Sequence, residues 1–167
     1  MNPTSGPEFT IRPAVEADVP LGLWFIRQLA EYEQLAHEVV IDEAALRELL
    51  FRERPYAESI IGEHAGKPVA FALFFHTVST FLGRPGLYLE DLFVAPEARG
   101  KSFGRTMMAH LAGLAMERGC GRFEWSVLDW NVNSIDFYKK LGAEAVDQWT
   151  VYRLKGDALS ALAGNGS

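Results

Sequence analysis

The chain has 167 residues, of which 49% are apolar and 23% charged, with 16 Lys or Arg against 22 Asp or Glu. That composition excludes a disordered, collagen-like or coiled-coil chain, and it suits one domain able to bury roughly 68–70% of its unfolded surface. The formal net charge of −6 leaves no basic stripe for nucleic acid, and no segment approaches the roughly 20 apolar residues of a membrane span. Cys120, alone, has no partner for an internal disulfide, so a reducing, cytoplasmic setting is expected.

The first eight residues, MNPTSGPE, have neither a basic start nor an apolar run and read as a flexible leader rather than a signal peptide. The domain is expected over 9–155, with a weakly structured tail or short helix over 156–167. Phe9 to Arg12 predicts a first strand, closed by Pro13. Asp18 suits a helix N-cap with Pro20 in the first turn, and Leu23, Phe25, Ile26, Leu29 and Ala30 form the apolar stripe, ending near Glu33. Asp42 can cap a second helix carrying Ala45, Leu46, Leu49 and Leu50.

The period then changes. Ser59 to His64 predicts a strand, 65–68 a turn, and Val69 to Phe75 an apolar strand. After a turn at Gly83 to Gly86, Leu87 to Val94 continues the pattern. Residues 104–118 have helical spacing, with Met107, Met108, Leu111, Leu114 and Ala115 on one face and Gly119 and Gly121 beyond it. Phe123 to Leu128 predicts a strand, Asn133 a cap for a short helix over Ile135, Phe137, Tyr138 and Leu141, and Val151 to Leu154 a last strand. The order βααβββαβαβ implies a single mixed α/β (α+β) domain whose three middle strands form an antiparallel meander, with parallel pairing nearby.

Chemistry concentrates in residues 88–105, Tyr-Leu-Glu-Asp-Leu-Phe-Val-Ala-Pro-Glu-Ala-Arg-Gly-Lys-Ser-Phe-Gly-Arg. A strand ends at Val94, Pro96 stops its continuation, and a loop bearing Arg99, Gly100, Lys101 and Gly104 opens a helix. The first N–H groups of a helix lack intrahelical partners and lie at the positive end of its dipole, so this is a candidate phosphate or pyrophosphate site. The same local pattern equally suits a loop whose glycines serve only its backbone angles. It is not a Walker loop, because no Gly-Lys-Ser/Thr follows at the required spacing, and its glycine spacing is not the dinucleotide fingerprint.

With its neighbours, this stretch resembles the GNAT superfamily of N-acetyltransferases, and within it the spermidine/spermine and thialysine N-acetyltransferase branch. The segments that carry the resemblance are Ile26-Arg27-Gln28-Leu29-Ala30-Glu31-Tyr32-Glu33, Tyr88-Leu89-Glu90-Asp91-Leu92-Phe93-Val94 and Arg99-Gly100-Lys101-Ser102-Phe103-Gly104. A fourth is Trp130-Asn131 followed by Asn133-Ser134-Ile135-Asp136-Phe137-Tyr138-Lys139-Lys140-Leu141-Gly142-Ala143. Ile11-Arg12-Pro13-Ala14 and Trp149 extend the match to about residues 9–155. The Leu-Glu-Asp strand and the Asn…Phe-Tyr…Gly-Ala helix, in order and at this separation, are its most specific parts. The family loop carries glycine where this chain has Ser102; because backbone amides do the holding, serine suits the role with a negative φ.

The resemblance implies acetyl-CoA as acyl donor and a primary amine as acceptor, in a GNAT-like fold that commonly pairs as a homodimer. It implies main-chain contacts to the donor from Leu92, Phe93 and Val94 and pyrophosphate contacts from Arg99, Gly100, Lys101, Ser102, Phe103, Gly104 and Arg105. Asn131 and Ser134 would contact it from the other side. Tyr138 is the expected general acid toward the departing thiolate, although alone it reads as a stripe residue of a short helix. Glu90 is the expected general base, since neutralising a primary amine of pKa near 10.4 at pH 7 costs roughly 4–5 kcal/mol. Strand alternation puts Glu90 with Leu92 and Asp91 with Phe93, unless a bulge of the kind common in the family blurs the rule.

The acceptor side follows the charge. Between Glu31 and Glu53 lie seven acids and two arginines, nearly the whole net charge of the chain, and an acidic cleft concentrates a cationic substrate. The resemblance assigns acceptor contacts to Tyr32, Glu33 and Trp149; Glu33, Glu90 and Asp91 rank above Glu43, Glu48 and Glu53, which suit a solvated helix face. His37, His64, His76 and His110 lack metal-ligand spacing, so no metal is expected. Cys120 and Met107, Met108 and Met116 read as packing, and Phe74, Phe75 and Phe81 as core or a dimer surface. The expected reaction is direct attack on the thioester in a ternary complex, because no nucleophile is placed for a covalent acetyl-enzyme. A protein lysine or N-terminus is the alternative acceptor, and a non-catalytic acyl-CoA-binding domain is the alternative of another class.

Overall fold

Residues 8–164 are described by a computed structural model of the chain; the leader expected over 1–8 lies almost wholly outside them. The chain divides into two compact units, one ending at Trp130 and the other starting at Asn131.

The first unit is built on one five-stranded sheet in the order of the sequence: β1 (Phe9–Pro13), β2 (Glu58–His64), β3 (Lys67–Ser79), β4 (Arg84–Val94) and β5 (Phe123–Trp125). β1 to β4 pair antiparallel, as short reversals at Ala65–Gly66 and residues 80–83 require, and β5 joins β4 in parallel. The parallel strand needs a crossover, supplied by α3 (Phe103–Glu117). α1 (Val19–Tyr32) and α2 (Glu43–Phe51) fill the long connection from β1 to β2.

The sheet separates two apolar layers. On one face Val19, Leu23 and Phe25 of α1 and Leu46 and Leu50 of α2 pack with Ile61, Phe71, Leu73 and Phe93. Facing residues across β2, β3 and β4 set that side: Ile61 opposes Phe71, and Phe71 opposes Phe93. Residues of opposite parity, Ile60, Ala72 and Phe74, point the other way, where Met107, Met108, Leu111 and Ala115 of α3 are buried. Leu114 is half-buried, and Met116, expected in the core, is 78% exposed because it falls off that stripe.

The helix starts show which side chains complete them. Asp42 caps α2, its Oδ1 accepting the Ala45 N–H at 2.8 Å. Asp18 stands at the N-cap of α1 but does not cap it through its side chain. Its carboxylate instead accepts the Val15 N–H at 2.8 Å and takes a two-pronged contact from Arg12 at 2.7 and 3.0 Å. That clamp ties β1 to the short 3-10 turn Glu16–Asp18, and the guanidinium beside it holds Asp18 below the ordinary carboxylate range.

The second unit contains α4 (Val132–Lys140) and α5 (Gly156–Leu162). α4 is capped by Asn131, whose Oδ1 accepts the Ser134 N–H at 3.3 Å, and not by Asn133, which already lies inside the helix. Gly142, at φ +88, ends it in the left-handed region that glycine tolerates. Two strand expectations fail. The fifth strand stops at Trp125 rather than Leu128, and Val151–Leu154 forms no strand. Alternating apolar residues become a strand only with a ladder to join, and here Val151 and Tyr152 are 85% and 92% exposed.

Candidate active site

The site begins with a miscount in β4. Down the β3–β4 ladder Leu73 faces Asp91, but the next residue, Phe74, faces Leu89. Glu90 is therefore extra, a β-bulge that bends the strand and shifts its parity by one. Without it Leu87, Leu89, Asp91 and Phe93 would share a face. With it Leu87 and Leu89 stay buried on the α3 side, while Asp91 and Phe93 turn toward α1 and Glu90 is left exposed.

The same point opens the sheet. β4 pairs with β5 only from Leu87↔Phe123 to Leu89↔Trp125. From Glu90 to Val94 one edge of β4 keeps β3, and the other has no strand beside it among the described residues. Such an edge offers main-chain donors and acceptors for an extended ligand. Leu92 and Phe93 contribute backbone here. The Phe93 side chain is buried against Phe25, with ring centroids 6.0 Å apart, so it belongs to the core.

Carboxylates gather beside the opening. Burial, and then the charges of Glu90 and Glu33, push Asp91 up to about 7. Glu33, at the C-terminal end of α1, is itself raised by burial. The fold thus brings Glu33 and Glu90 within electrostatic reach of Asp91 and leaves Glu43, Glu48 and Glu53 exposed on or after α2. Tyr32, next to Glu33, is partly exposed, with the Trp130 ring 6.3 Å away.

Past Val94 the chain makes a 3-10 turn, Pro96–Ala98, and reaches α3 through an exposed loop. Gly100 has φ +77 and Ser102 φ +64. The expectation of a negative φ at Ser102 is therefore wrong. The serine occupies the left-handed conformation in which the family's glycine is at ease, at a cost of roughly 1–2 kcal/mol. Its side chain does not cap α3, whose first amides remain open to an anion. A left-handed residue followed by helical ones points successive N–H groups into one concavity, which suits a diphosphate. Lys101 and Arg105 are exposed beside it. Two loop residues expected as ligands have other work for their side chains. Phe103 is buried, stacked on Phe9 at 4.2 Å and near the His64 ring at 5.0 Å, which anchors the start of α3. Arg99 donates from Nε to the Val94 carbonyl at 3.0 Å.

In the second unit, Asn131 is buried and engaged as the cap of α4, with Ser134 half-buried one turn along. Tyr138 is half-buried in α4, its ring 5.3 Å from that of Phe137. Trp149 is 73% exposed. Among the described residues no group of three or more His, Cys, Asp or Glu could hold a metal ion, and no helix is long and apolar enough to cross a membrane. Sequence reasoning missed the stacking of the Arg99 guanidinium, 5.0 Å from the centre of the Tyr32 ring, and the pairing of Trp130 with Tyr32; both join residues far apart in the chain, and no local spacing signals them.

An opened strand edge, a bulge with carboxylates and uncapped amides at a helix start together make an arrangement suited to acyl transfer. The profile of the Acetyltransferase (GNAT) family matches residues 25–143, and the chain belongs to that family as an N-acetyltransferase. It is 39% identical over 165 residues to the thialysine N-epsilon-acetyltransferase of Sus scrofa, covering 92% of this chain and 96% of that one. It is 32% identical over 197 residues to the L-ornithine N5-acetyltransferase of Arabidopsis thaliana, covering 91% and 86%. An integron cassette protein from the mobile metagenome of V. cholerae superposes with a TM-score of 0.78 at 28% identity, covering 95% of this chain and 99% of that one.

Proposed function

We propose that the chain transfers an acetyl group from acetyl-CoA to the primary amine of a small cationic acceptor: a lysine-like amino acid, a diamine or a polyamine. The observation that carries this reading is the unpaired edge of β4 from Glu90 to Val94, with Glu33, Glu90 and Asp91 gathered at its bulged end. An acidic pocket attracts an ammonium group, and two of the relatives are named for acetylating thialysine and ornithine.

In this reading the amides of Gly100 to Arg105 hold the diphosphate, with Lys101 and Arg105 adding charge. The backbone of Leu92 to Val94 orients the acyl arm, and a main-chain N–H aimed at the reacting carbonyl stabilises negative charge there. When bound, acetyl-CoA supplies the activated acyl group. Glu90, exposed at the bulge, takes the ammonium proton directly or through water. Asp91, which keeps its own proton up to about pH 7, is the second carboxylate facing the amine. Tyr138 protonates the departing thiolate from its phenolic oxygen. Glu33, Tyr32 and Trp149 bind the rest of the acceptor, and Asn131 and Ser134 contact the donor.

The deciding experiment is thiol release from acetyl-CoA across a panel of thialysine, lysine, ornithine, diamines, polyamines and basic peptides. Turnover with one or more small amines is expected; acetylation of peptides alone overturns the acceptor class. Comparing pH–rate profiles of Glu90→Gln and Asp91→Asn assigns the base: the acidic limb disappears with Glu90→Gln if Glu90 accepts the proton, and persists if it does not.

A further inference from the structure

The sequence reading treats Arg99 as one more cation for the diphosphate. Its surroundings describe a different task. Nε donates to the carbonyl of Val94, the last residue of β4, at 3.0 Å. The guanidinium carbon lies 5.0 Å from the centre of the Tyr32 ring and 5.6 Å from that of Phe93. Tyr32 ends α1 and directly precedes Glu33; Phe93 lies on β4 beyond the bulge. The end of α1, some sixty residues earlier in the chain, thus meets the open end of β4 and the loop that leads to α3 on one planar group.

The chemistry suits a clamp. A guanidinium is flat and forked, so it can stack on a ring and hydrogen-bond in its own plane at once, and a lysine ammonium cannot reproduce that combination. Taking up the Val94 carbonyl also fixes where the strand stops and the loop turns. We propose that Arg99 is a positioning residue that locks the acceptor-binding end of α1 to the donor-binding loop, so that the acceptor and donor subsites keep one register. The proposal rests on the functional reading above, which assigns those two subsites.

The test uses Arg99→Lys and Arg99→Met in the full chain, with Tyr32→Leu as a variant that removes the stacking face and leaves the loop cation in place. In the thiol-release assay, Arg99→Lys and Arg99→Met are expected to raise the KM of both acetyl-CoA and the amine by about tenfold, the scale of one lost charge-assisted hydrogen bond. The ionic-strength dependence of the acetyl-CoA KM stays as in the wild type, and the Tyr32→Leu effect on the acetyl-CoA KM is largely absent on the Arg99→Met background, as for groups acting through one contact. Hydrogen exchange without substrate gives a readout independent of turnover: amides over 29–35 and 95–102 exchange faster in both Arg99 variants. The proposal is overturned if Arg99→Lys matches the wild type while Arg99→Met raises only the acetyl-CoA KM and flattens its salt dependence, which marks a free cation. It is overturned equally if exchange in the two segments is unchanged. A wild type inactive toward every amine, with exchange altered as expected, defeats the functional reading and leaves the clamp standing.

Discussion

Replacing Asp91 by asparagine separates what the carboxylate costs the fold from what it gives the site. Asp91 releases its proton at about 7 in the folded protein, chiefly because burial disfavours its charge and secondly because Glu90 and Glu33 repel it. In the unfolded chain the same group ionises near its ordinary value of about 3.9. Between those two values the folded state holds more protons than the unfolded one, so stability falls as pH rises. The slope is about 1.4 kcal/mol per pH unit, and the loss accumulates to on the order of 4 kcal/mol once the folded carboxylate is also ionised. Asparagine has nearly the same shape and no charge to desolvate. Asp91→Asn should therefore match the wild type at about pH 3–4 and exceed its stability by about 2–4 kcal/mol at pH 8, while losing activity. For a chain of this size that gain corresponds to a rise in Tm of roughly 5–15 °C. Urea or thermal unfolding of both proteins at the two pH values measures the difference. A gap that does not change with pH, or a wild type more stable than the variant at pH 8, refutes the desolvation argument.

The other predictions concern separate parts of the molecule. A Cβ at Gly62 would come within 2.5 Å of the Phe9 ring, which is stacked on Phe103, so Gly62→Ala should destabilise by about 1–3 kcal/mol in urea unfolding; an unchanged midpoint would show that the ring has room to move. Asp18→Ala loses the Val15 N–H bond and the Arg12 pair and should cost about 1–2 kcal/mol at neutral pH. Because the folded Asp18 carboxylate is held low, the wild-type advantage is complete above the ordinary carboxylate pKa and fades as acid passes through the lower folded value, which an acid titration of stability checks. Tyr138→Phe should lower turnover by about a hundred- to ten-thousand-fold with little change in acceptor KM, and unaltered turnover would remove Tyr138 from the acid role.

Glu90 and Asp91 show how far the primary structure carries the site. The Leu-Glu-Asp strand and the acidic run around Glu33 single out carboxylates that the fold brings to Asp91, because residue type and resemblance need no coordinates. Strand alternation predicts that Asp91 and Phe93 share a face, and they do. It cannot say which face, because a single unpaired residue reverses the parity of everything beyond it. Ser102 teaches the same lesson at one backbone angle: an amide donor is legible from the motif, but the positive φ that aims it is not.

What the amino-acid order determined by itself was local: apolar spacing on α1, α2 and α3, the Asp42 cap, the glycine stops, the meander, and a family signature that fixes the chemistry class. The folded chain alone decided everything that depends on neighbours distant in sequence. The early end of β5 frees one edge of β4, burial raises Asp91, the Phe103 side chain anchors the start of α3, and Val151–Leu154 finds no ladder to join. Each of these is set by which groups share a small volume, a quantity that side-chain periodicity along one strand or helix does not contain.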